Sequence, residues 1–111
     1  MIDFKYVTEN NYDQLLKNSD KPIMIYFWTL WSSDCKREEI ALNKTKERFC
    51  DAIEYFAVNL DECPNLRERL NINIVPTVMF YKNGDYTAKE IGLKSEAIYY
   101  SHVSRLLGDN N

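Results

Sequence analysis

The strongest pattern in this chain is the run from Ile23 to Trp28, IMIYFW, in which every residue is apolar or aromatic. Short runs of this kind are typical of strands covered on both faces of a sheet, and Pro22 directly before the run is compatible with a strand start. Residues 53–60 form a second, mostly apolar run, and residues 4–7 form a shorter strand-like segment. We therefore predict two buried strands and one short strand in the first half of the chain.

Between the two buried runs the pattern changes to a helical one. Leu42, Thr45 and Phe49 follow one another at offsets of three and four, and charged residues occupy many of the other positions from 34 to 49. The apolar stripe is narrow, so the predicted helix is largely solvated, and residues 36–39 are assigned to its solvent face. Two strands joined by a helix predict a parallel pair with a right-handed crossover.

Two further short helices are predicted from capping residues. Thr8 is the predicted cap of the first and Asp61 of the second, because both side chains can accept hydrogen bonds from free backbone N–H groups. The apolar residues on the inner faces of these helices are Tyr12, Leu15, Leu16, Leu66 and Leu70.

The last third of the chain predicts a hairpin and a closing helix. Asn83-Gly84 lies between the strand-like segments 78–81 and 86–91, and Asn-Gly is the strongest short hairpin signal. Gly92 breaks the last strand, and Ser95 can cap the final helix. The inner face of that helix comprises Tyr99, Val103, Leu106 and Leu107. The element order β-α-β-α-β-α-β-β-α predicts an α/β fold with one mixed sheet flanked by helices.

Composition narrows the classes of protein. The length of 111 residues and the hydrophobic content of 45% fit a single domain over residues 1–111. The net charge of -3, from 14 basic and 17 acidic residues, argues against nucleic acid as a partner. Residues 1–11 lack the apolar core of a signal peptide, and no apolar run reaches the roughly 18 residues of a membrane span. Cys35, Cys50 and Cys63 do not have disulfide-scaffold spacing, so we expect thiols and a cytoplasmic location.

The candidate chemistry lies in the hexapeptide WSSDCK, residues 31–36, which follows the first buried run. At a strand-to-helix junction, free backbone N–H groups and the helix dipole stabilise an anion such as a thiolate. Two cysteines spaced C-x-x-C there form a redox pair, but here Ser32 takes the first position and Cys35 the second. His102 has no partner at metal-ligand spacing and the three cysteines form no zinc signature, so no metal is predicted.

On these residues the chain resembles the thioredoxin family over nearly its whole length. The matching landmarks, in chain order, are Phe27-Trp28, Trp31-x-x-x-Cys35-Lys36, Val75-Pro76-Thr77, Lys82-Asn83-Gly84 and Gly92. The resemblance implies the thioredoxin fold, with a five-stranded mixed sheet, four helices and a cis peptide bond before Pro76 that faces the active-site loop. It also implies thiol-disulfide exchange with proteins or peptides that carry disulfides. No cofactor is implied, and the electron donor would be a thioredoxin reductase or another thiol donor.

The resemblance also assigns the two site positions. Ser32 matches the attacking cysteine and Cys35 the resolving one. A serine hydroxyl is almost fully protonated near neutral pH and cannot form a disulfide, so the two-electron cycle lacks its first thiolate. We therefore expect no dithiol turnover and at most one-thiol exchange through Cys35.

Other departures from the family pattern concern the same site. Tyr26 stands where the family usually has a buried aspartate that moves the proton of the resolving thiol, and a phenol with an ordinary pKa near 10 is a poor substitute. Ser33 and Asp34 replace the usual Gly-Pro pair. The Asp34 carboxylate opposes a thiolate at Cys35, whereas Lys36 favours one.

The sequence leaves alternatives open at several positions. Ser32 is a helix N-cap, a nucleophile without a nearby base, or a serine introduced in place of cysteine to block oxidation or capture a complex. Cys35 is an inert, half-buried remnant or a monothiol that forms mixed disulfides. Cys50 and Cys63 are packing residues by default. Cys63 is also a candidate regulatory thiol, because animal thioredoxins often carry a further cysteine at a similar place.

Two classes of function follow from these observations. The first is a thioredoxin-family disulfide oxidoreductase that is inactive or limited to one-thiol exchange. The second is a binding module that holds an extended partner peptide in an apolar groove without turnover. The predicted groove residues are Trp31, Ser33, Asp34, Val75, Pro76 and Gly92, with Tyr26 and Lys36 in support.

Overall fold

The structure is a computed structural model that describes residues 2–108. In chain order its elements are β1 (Lys5–Tyr6), α1 (Tyr12–Asn18), β2 (Ile23–Trp28), α2 (Ser33–Phe49), a 3-10 turn (Cys50–Ala52), β3 (Glu54–Asn59), α3 (Pro64–Leu70), β4 (Thr77–Lys82), β5 (Asp85–Ile91) and α4 (Glu96–Leu106). The strands form one mixed sheet in the order β1-β3-β2-β4-β5. The predicted α/β fold, with five strands and four α-helices, is confirmed. None of the helices between residues 2 and 108 is long and apolar enough to cross a membrane.

Strand β2 occupies the centre of the sheet. It pairs in parallel with β3, with Tyr26 opposite Ala57, and antiparallel with β4, with Tyr26 opposite Val78. The strands joined by α2 are therefore parallel, as predicted. Because β4 starts with Thr77 opposite Phe27, the residues just before β4 lie at the same end of the sheet as those just after β2.

Alternate residues of β2 point into two separate apolar layers. Met24 and Tyr26 belong to the layer that includes residues of α2 and α4, whereas Ile25 and Phe27 belong to the layer that includes residues of α1 and α3. All four side chains are at most 1% exposed. Burial of such side chains contributes roughly 1.5–3 kcal/mol each, so β2 is a firmly held support for the residues that follow it.

Strands β4 and β5 form the predicted hairpin. Asn83 and Gly84 have φ angles of 55° and 81°, both in the left-handed region. This is the backbone of a type I′ turn, which Asn-Gly adopts readily and which matches the twist of the two strands.

The predicted cap at Thr8 is wrong. Helix α1 begins later, at Tyr12, and the backbone N–H of Thr8 donates to Asn11 Oδ1 at 2.9 Å. The Asn11 side chain therefore stabilises a turn before the helix, and Thr8 does not act as the N-cap. The predicted inner face of α4 is also too long, because Leu107 follows the helix and is 41% exposed.

The predicted cap at Asp61 is wrong as well. Helix α3 begins at Pro64, and its first turn is bound by a residue far away in the sequence. Glu9 Oε1 accepts hydrogen bonds from the backbone N–H groups of Asn65 and Leu66. A carboxylate at a helix N-terminus is favourable whether it comes from the neighbouring residue or from another loop. A capping pattern in the sequence detects only caps that come from neighbouring residues, so it could not detect Glu9.

Candidate functional site

The WSSDCK segment forms the junction between β2 and α2, as predicted. The chain turns at residues 29–32, and the backbone N–H of Ser32 donates to the carbonyl of Thr29 at 3.4 Å. Helix α2 then begins at Ser33, with Ser32 at its N-cap. Ser32 Oγ accepts a hydrogen bond from the backbone N–H of Cys35 at 3.2 Å, which satisfies one of the free donors of the first turn. The N-cap interpretation of Ser32 is confirmed.

The junction exposes its aromatic residue and buries its sulfur. Trp31 is 85% exposed, whereas Cys35 is 1% exposed and belongs to the layer beneath α2 and α4. Ser33, Asp34 and Lys36 lie on the exposed side of the first turn. The Cys35 thiol is therefore closed off from solvent, whereas the Trp31 indole is open to it.

Tyr26 lies directly behind Cys35. Its hydroxyl donates to the backbone carbonyl of Cys35 at 3.0 Å and lies 3.1 Å from Glu39 Oε2. Burial raises the pKa of the Tyr26 phenol far above its ordinary value, and nearby Cys35 and Glu39 raise it further. The phenol therefore keeps its proton at physiological pH and cannot accept one from the thiol.

The Val75–Pro76 peptide bond is cis, as the family resemblance implies. Pro76 is buried just before β4, at the end of the sheet that carries the β2–α2 junction. Its carbonyl accepts a hydrogen bond from the backbone N–H of Gly92 at 2.8 Å, and Gly92 has a left-handed φ of 84°. This contact joins two of the predicted groove segments beside the junction.

Glu38 is a residue that the sequence interpretation missed. Assigned to a solvated face, it is in fact 3% exposed. Its Oε2 accepts hydrogen bonds from the backbone N–H of Lys94, at 2.8 Å, and from the hydroxyl of Tyr99. Burial raises the pKa of this carboxyl, and the two hydrogen bonds oppose the rise.

A signal for this burial was present in the sequence. Positions 35, 38, 42 and 45 follow one another at offsets of three and four, which places Glu38 on the same helical face as Cys35, Leu42 and Thr45. Those three residues are at most 1% exposed. The charge of Glu38 obscured the periodicity.

The other two cysteines are separate from this site. Cys50 is an exposed free thiol after the C-terminus of α2. Cys63 is 2% exposed in the other apolar layer, across the sheet from Cys35, and burial raises the pKa of its thiol. Both observations on Cys63 favour the packing interpretation over a regulatory thiol, because reactive thiols are accessible and of low pKa. Among residues 2–108, no group of three His, Cys, Asp or Glu side chains is arranged to hold a metal ion.

Comparisons with known proteins agree with the fold. The family model described as Thioredoxin matches residues 3–104. The thioredoxin of Rickettsia felis is 28% identical over 90 residues, which cover 81% of this chain and 86% of that protein. The M-type chloroplastic thioredoxin of Pisum sativum is 27% identical over 101 residues, which cover 91% of this chain. The matched region spans only 59% of the pea protein and 56% of its Spinacia oleracea counterpart.

A solved structure shows the same fold. It is described as "Structural basis of the thiol resolving mechanism in yeast mitochondrial 1-Cys peroxiredoxin via glutathione/thioredoxin systems", and it superimposes with a TM-score of 0.84 at 19% identity. The match covers 94% of this chain and 96% of that one, and at this identity it supports the fold alone. From the family match over residues 3–104, the chain belongs to the thioredoxin family.

Proposed function

We propose that this thioredoxin-family redox protein does not complete a dithiol cycle and retains at most one-thiol exchange through Cys35. The observation that carries the proposal is the hydrogen bond from the Cys35 backbone N–H to Ser32 Oγ, because the attacking position holds a helix cap and no thiol. In the two-thiol cycle, one thiolate attacks a disulfide and the second releases the mixed disulfide. A single thiol performs only the first of these steps.

The one-thiol step has a definite balance of atoms. The Cys35 thiolate would attack one sulfur of a target disulfide, form a protein mixed disulfide and release the other sulfur as a thiolate. An external thiol must then attack the mixed disulfide to free Cys35. Proteins or peptides with disulfides are the proposed substrates, and a thioredoxin reductase or another thiol donor is the proposed source of electrons.

Two features of the structure support slow exchange at best. Cys35 is 1% exposed, so a target disulfide reaches its sulfur only when the first turn of α2 opens. The phenol of Tyr26, which replaces the proton-handling aspartate of the family, has its pKa raised by burial and remains protonated. Thiolate formation at Cys35 therefore receives no help from the residue behind it.

The second candidate is a binding module that holds an extended peptide. Its supporting observation is the 85% exposure of Trp31 at the end of the sheet where the Pro76 carbonyl binds the Gly92 N–H at 2.8 Å. An exposed aromatic residue beside a fixed turn suits the side chains of an extended segment. In this candidate Val75, Ser33 and Asp34 complete the groove.

An insulin-reduction assay with dithiothreitol tests the proposal. The unmodified chain should show no rate above the reagent blank, and robust turnover would contradict the missing-thiolate argument. Ser32→Cys restores a C-x-x-C pair, and recovered activity supports a redox site that has lost one thiol. Ser33→Cys is the matched control, since it adds a thiol one residue away without that spacing. If Ser32→Cys folds but stays inactive, the binding module is favoured.

Alkylation of the native chain tests the accessibility of Cys35. With limiting iodoacetamide and peptide mass spectrometry, the exposed Cys50 should be modified much faster than Cys35 and Cys63. Cys50 thus serves as the internal standard within each sample. If Cys35 reacts as fast as Cys50 in the folded chain, burial does not limit its chemistry and one-thiol exchange is not restricted as proposed.

The compartment is part of the proposal. We propose the cytosol, because a reducing compartment suits Cys35, Cys50 and Cys63, which are all free thiols. The relatives from Pisum sativum and Spinacia oleracea are chloroplastic by name, so a plastid is the competing location. Fractionation of source cells with an antibody against this chain distinguishes the two.

A further inference from the structure

A cavity of about 420 Å³ lies beside the β2–α2 junction. Its apolar wall is formed by Ile2, Tyr6, Trp28 and Leu30. Strand β1 and its flanking residues lie on the β3 side of β2, whereas Pro76 precedes β4 on the other side. The cavity therefore lies on the opposite side of β2 from Pro76, although it shares Lys36 with the residues that support the proposed peptide groove. Its occupation does not depend on the redox chemistry proposed for Ser32 and Cys35.

The wall of this cavity is suited to an aromatic ring. The rings of Tyr6 and Trp28 are 6.2 Å apart between centroids and tilted by 46°. Leu30 is 62% exposed, which leaves its side chain free to cover a ligand. A volume of about 420 Å³ is in the range of small-molecule sites, which combine apolar walls with a few polar groups.

The polar groups at this cavity carry opposite charges. Lys36 and Glu39 also line it, and a spacing of three residues places them on the same face of α2. Within the described part of the chain, neither residue takes part in an ion pair. Glu39 Oε2 is engaged by the hydroxyl of Tyr26 at 3.1 Å. The indole Nε1 of Trp28 is buried and has no hydrogen-bond partner among residues 2–108.

We propose that this cavity binds the zwitterion of an aromatic amino acid. The ring lies against Trp28 and Leu30, the carboxylate faces the Lys36 ammonium, and the amino group faces the Glu39 carboxylate. Both charges of the cavity are then matched. A ligand with a single charge matches one of them and is opposed by the other, so the pair favours a zwitterion over a simple anion or cation.

Titration of the isotope-labelled full chain with L-phenylalanine tests the proposal. The NMR signal of the Trp28 indole N–H should shift and saturate, with a dissociation constant of about 1 mM for a ligand of this size. Trp31→Phe assigns the two indole signals. Phenylpropanoate, which lacks the amino group, and phenethylamine, which lacks the carboxylate, should each bind about fivefold more weakly. No shift of the Trp28 signal well above that concentration would overturn the proposal.

Charge variants identify which group each ligand contacts. Lys36→Gln should weaken L-phenylalanine and phenylpropanoate by about fivefold and should strengthen phenethylamine, whose cation the Lys36 ammonium opposes, and Glu39→Gln should show the reverse pattern. Glu39→Gln keeps an oxygen for the Tyr26 hydroxyl. Lys17→Gln, an exposed residue of α1 against the other apolar layer, is the matched control. If all three ligands bind each variant with equal affinity, Lys36 and Glu39 do not contact the charged groups of the ligand, and the proposal is wrong.

A ligand without free charges tests the alternative that the cavity binds an aromatic side chain of a protein partner. N-acetyl-phenylalaninamide carries the ring without either charge, as an internal residue of a protein would. We expect it to bind more weakly than L-phenylalanine. If it binds as well, the zwitterion proposal is overturned, and the cavity instead takes an aromatic side chain from a protein partner.

Discussion

The buried carboxyl of Glu38 gives the sharpest prediction about stability. Its Oε2 accepts from both the Tyr99 hydroxyl and the Lys94 backbone N–H, and Tyr99 is fully buried. Glu38→Ala leaves the hydroxyl without this acceptor, at a cost of about 1–3 kcal/mol, and removes a further hydrogen bond worth about 1 kcal/mol. We expect a loss of about 2–4 kcal/mol, a large part of the typical 5–15 kcal/mol of a small domain.

Glu38→Gln should behave differently, because the amide oxygen can accept both hydrogen bonds while the charge is removed. Burial raises the pKa of Glu38 above its usual value of 4.5. A carboxyl whose pKa is higher in the folded chain than in the unfolded chain binds more protons when folded. It therefore favours folding fully below the unfolded pKa, and this contribution is lost as pH rises through the folded pKa. At pH values above the folded pKa, each unit by which burial raises the pKa of Glu38 lowers the free energy of unfolding by about 1.4 kcal/mol.

Urea unfolding, followed by circular dichroism from about pH 4 to about pH 8, measures this effect. The free energy of unfolding of Glu38→Gln, minus that of the unmodified chain, should increase with pH and level off above the folded pKa. Glu47→Gln, on the exposed side of the same helix, is the control for removing a carboxylate from α2. A difference that stays constant or decreases with pH would refute the reasoning.

Three further changes test the supports around the site. Ser32→Ala removes the oxygen that accepts from the Cys35 N–H and should cost about 1 kcal/mol in urea unfolding, while Ser32→Asp, which can cap, should cost less. Tyr26→Phe removes the hydroxyl that donates to the Cys35 carbonyl and should cost about 1 kcal/mol by the same assay. Gly84→Ala places a side chain at a φ of 81° and should lower the free energy of unfolding by at least about 1 kcal/mol, whereas Lys89→Ala, at an exposed position of β5 away from the turn, should not reproduce that strain.

Much of the fold could be predicted because its main signals are local. The apolar run of β2 and the Asn-Gly turn each depend on adjacent residues, and both appear in the structure where the sequence placed them. The family resemblance implied a five-stranded mixed sheet, but the order of its strands was not predicted, since pairing between β1 and β3 involves residues about fifty positions apart. Two of the errors, the cap of α3 and the burial of Glu38, share a cause. Glu9 at the start of α3 and Glu38 beneath α4 act through partners that are distant in sequence.

At the site, the sequence singled out Ser32 and Tyr26 but did not predict their contacts with the backbone of Cys35. In the proposed function, Ser32 and Tyr26 stand in place of the two groups that handle thiol chemistry in the family, and in the structure both side chains are bound to the main chain of Cys35. Ser32 accepts from its N–H and Tyr26 donates to its carbonyl. Both side chains therefore fix the backbone of Cys35. This gives Ser32→Cys two opposing effects, because the new thiol restores the redox pair while the stronger oxygen cap is lost. Activity recovered by Ser32→Cys, and increased further by Tyr26→Asp in a variant that still folds, would mean that these two positions account for the lost chemistry.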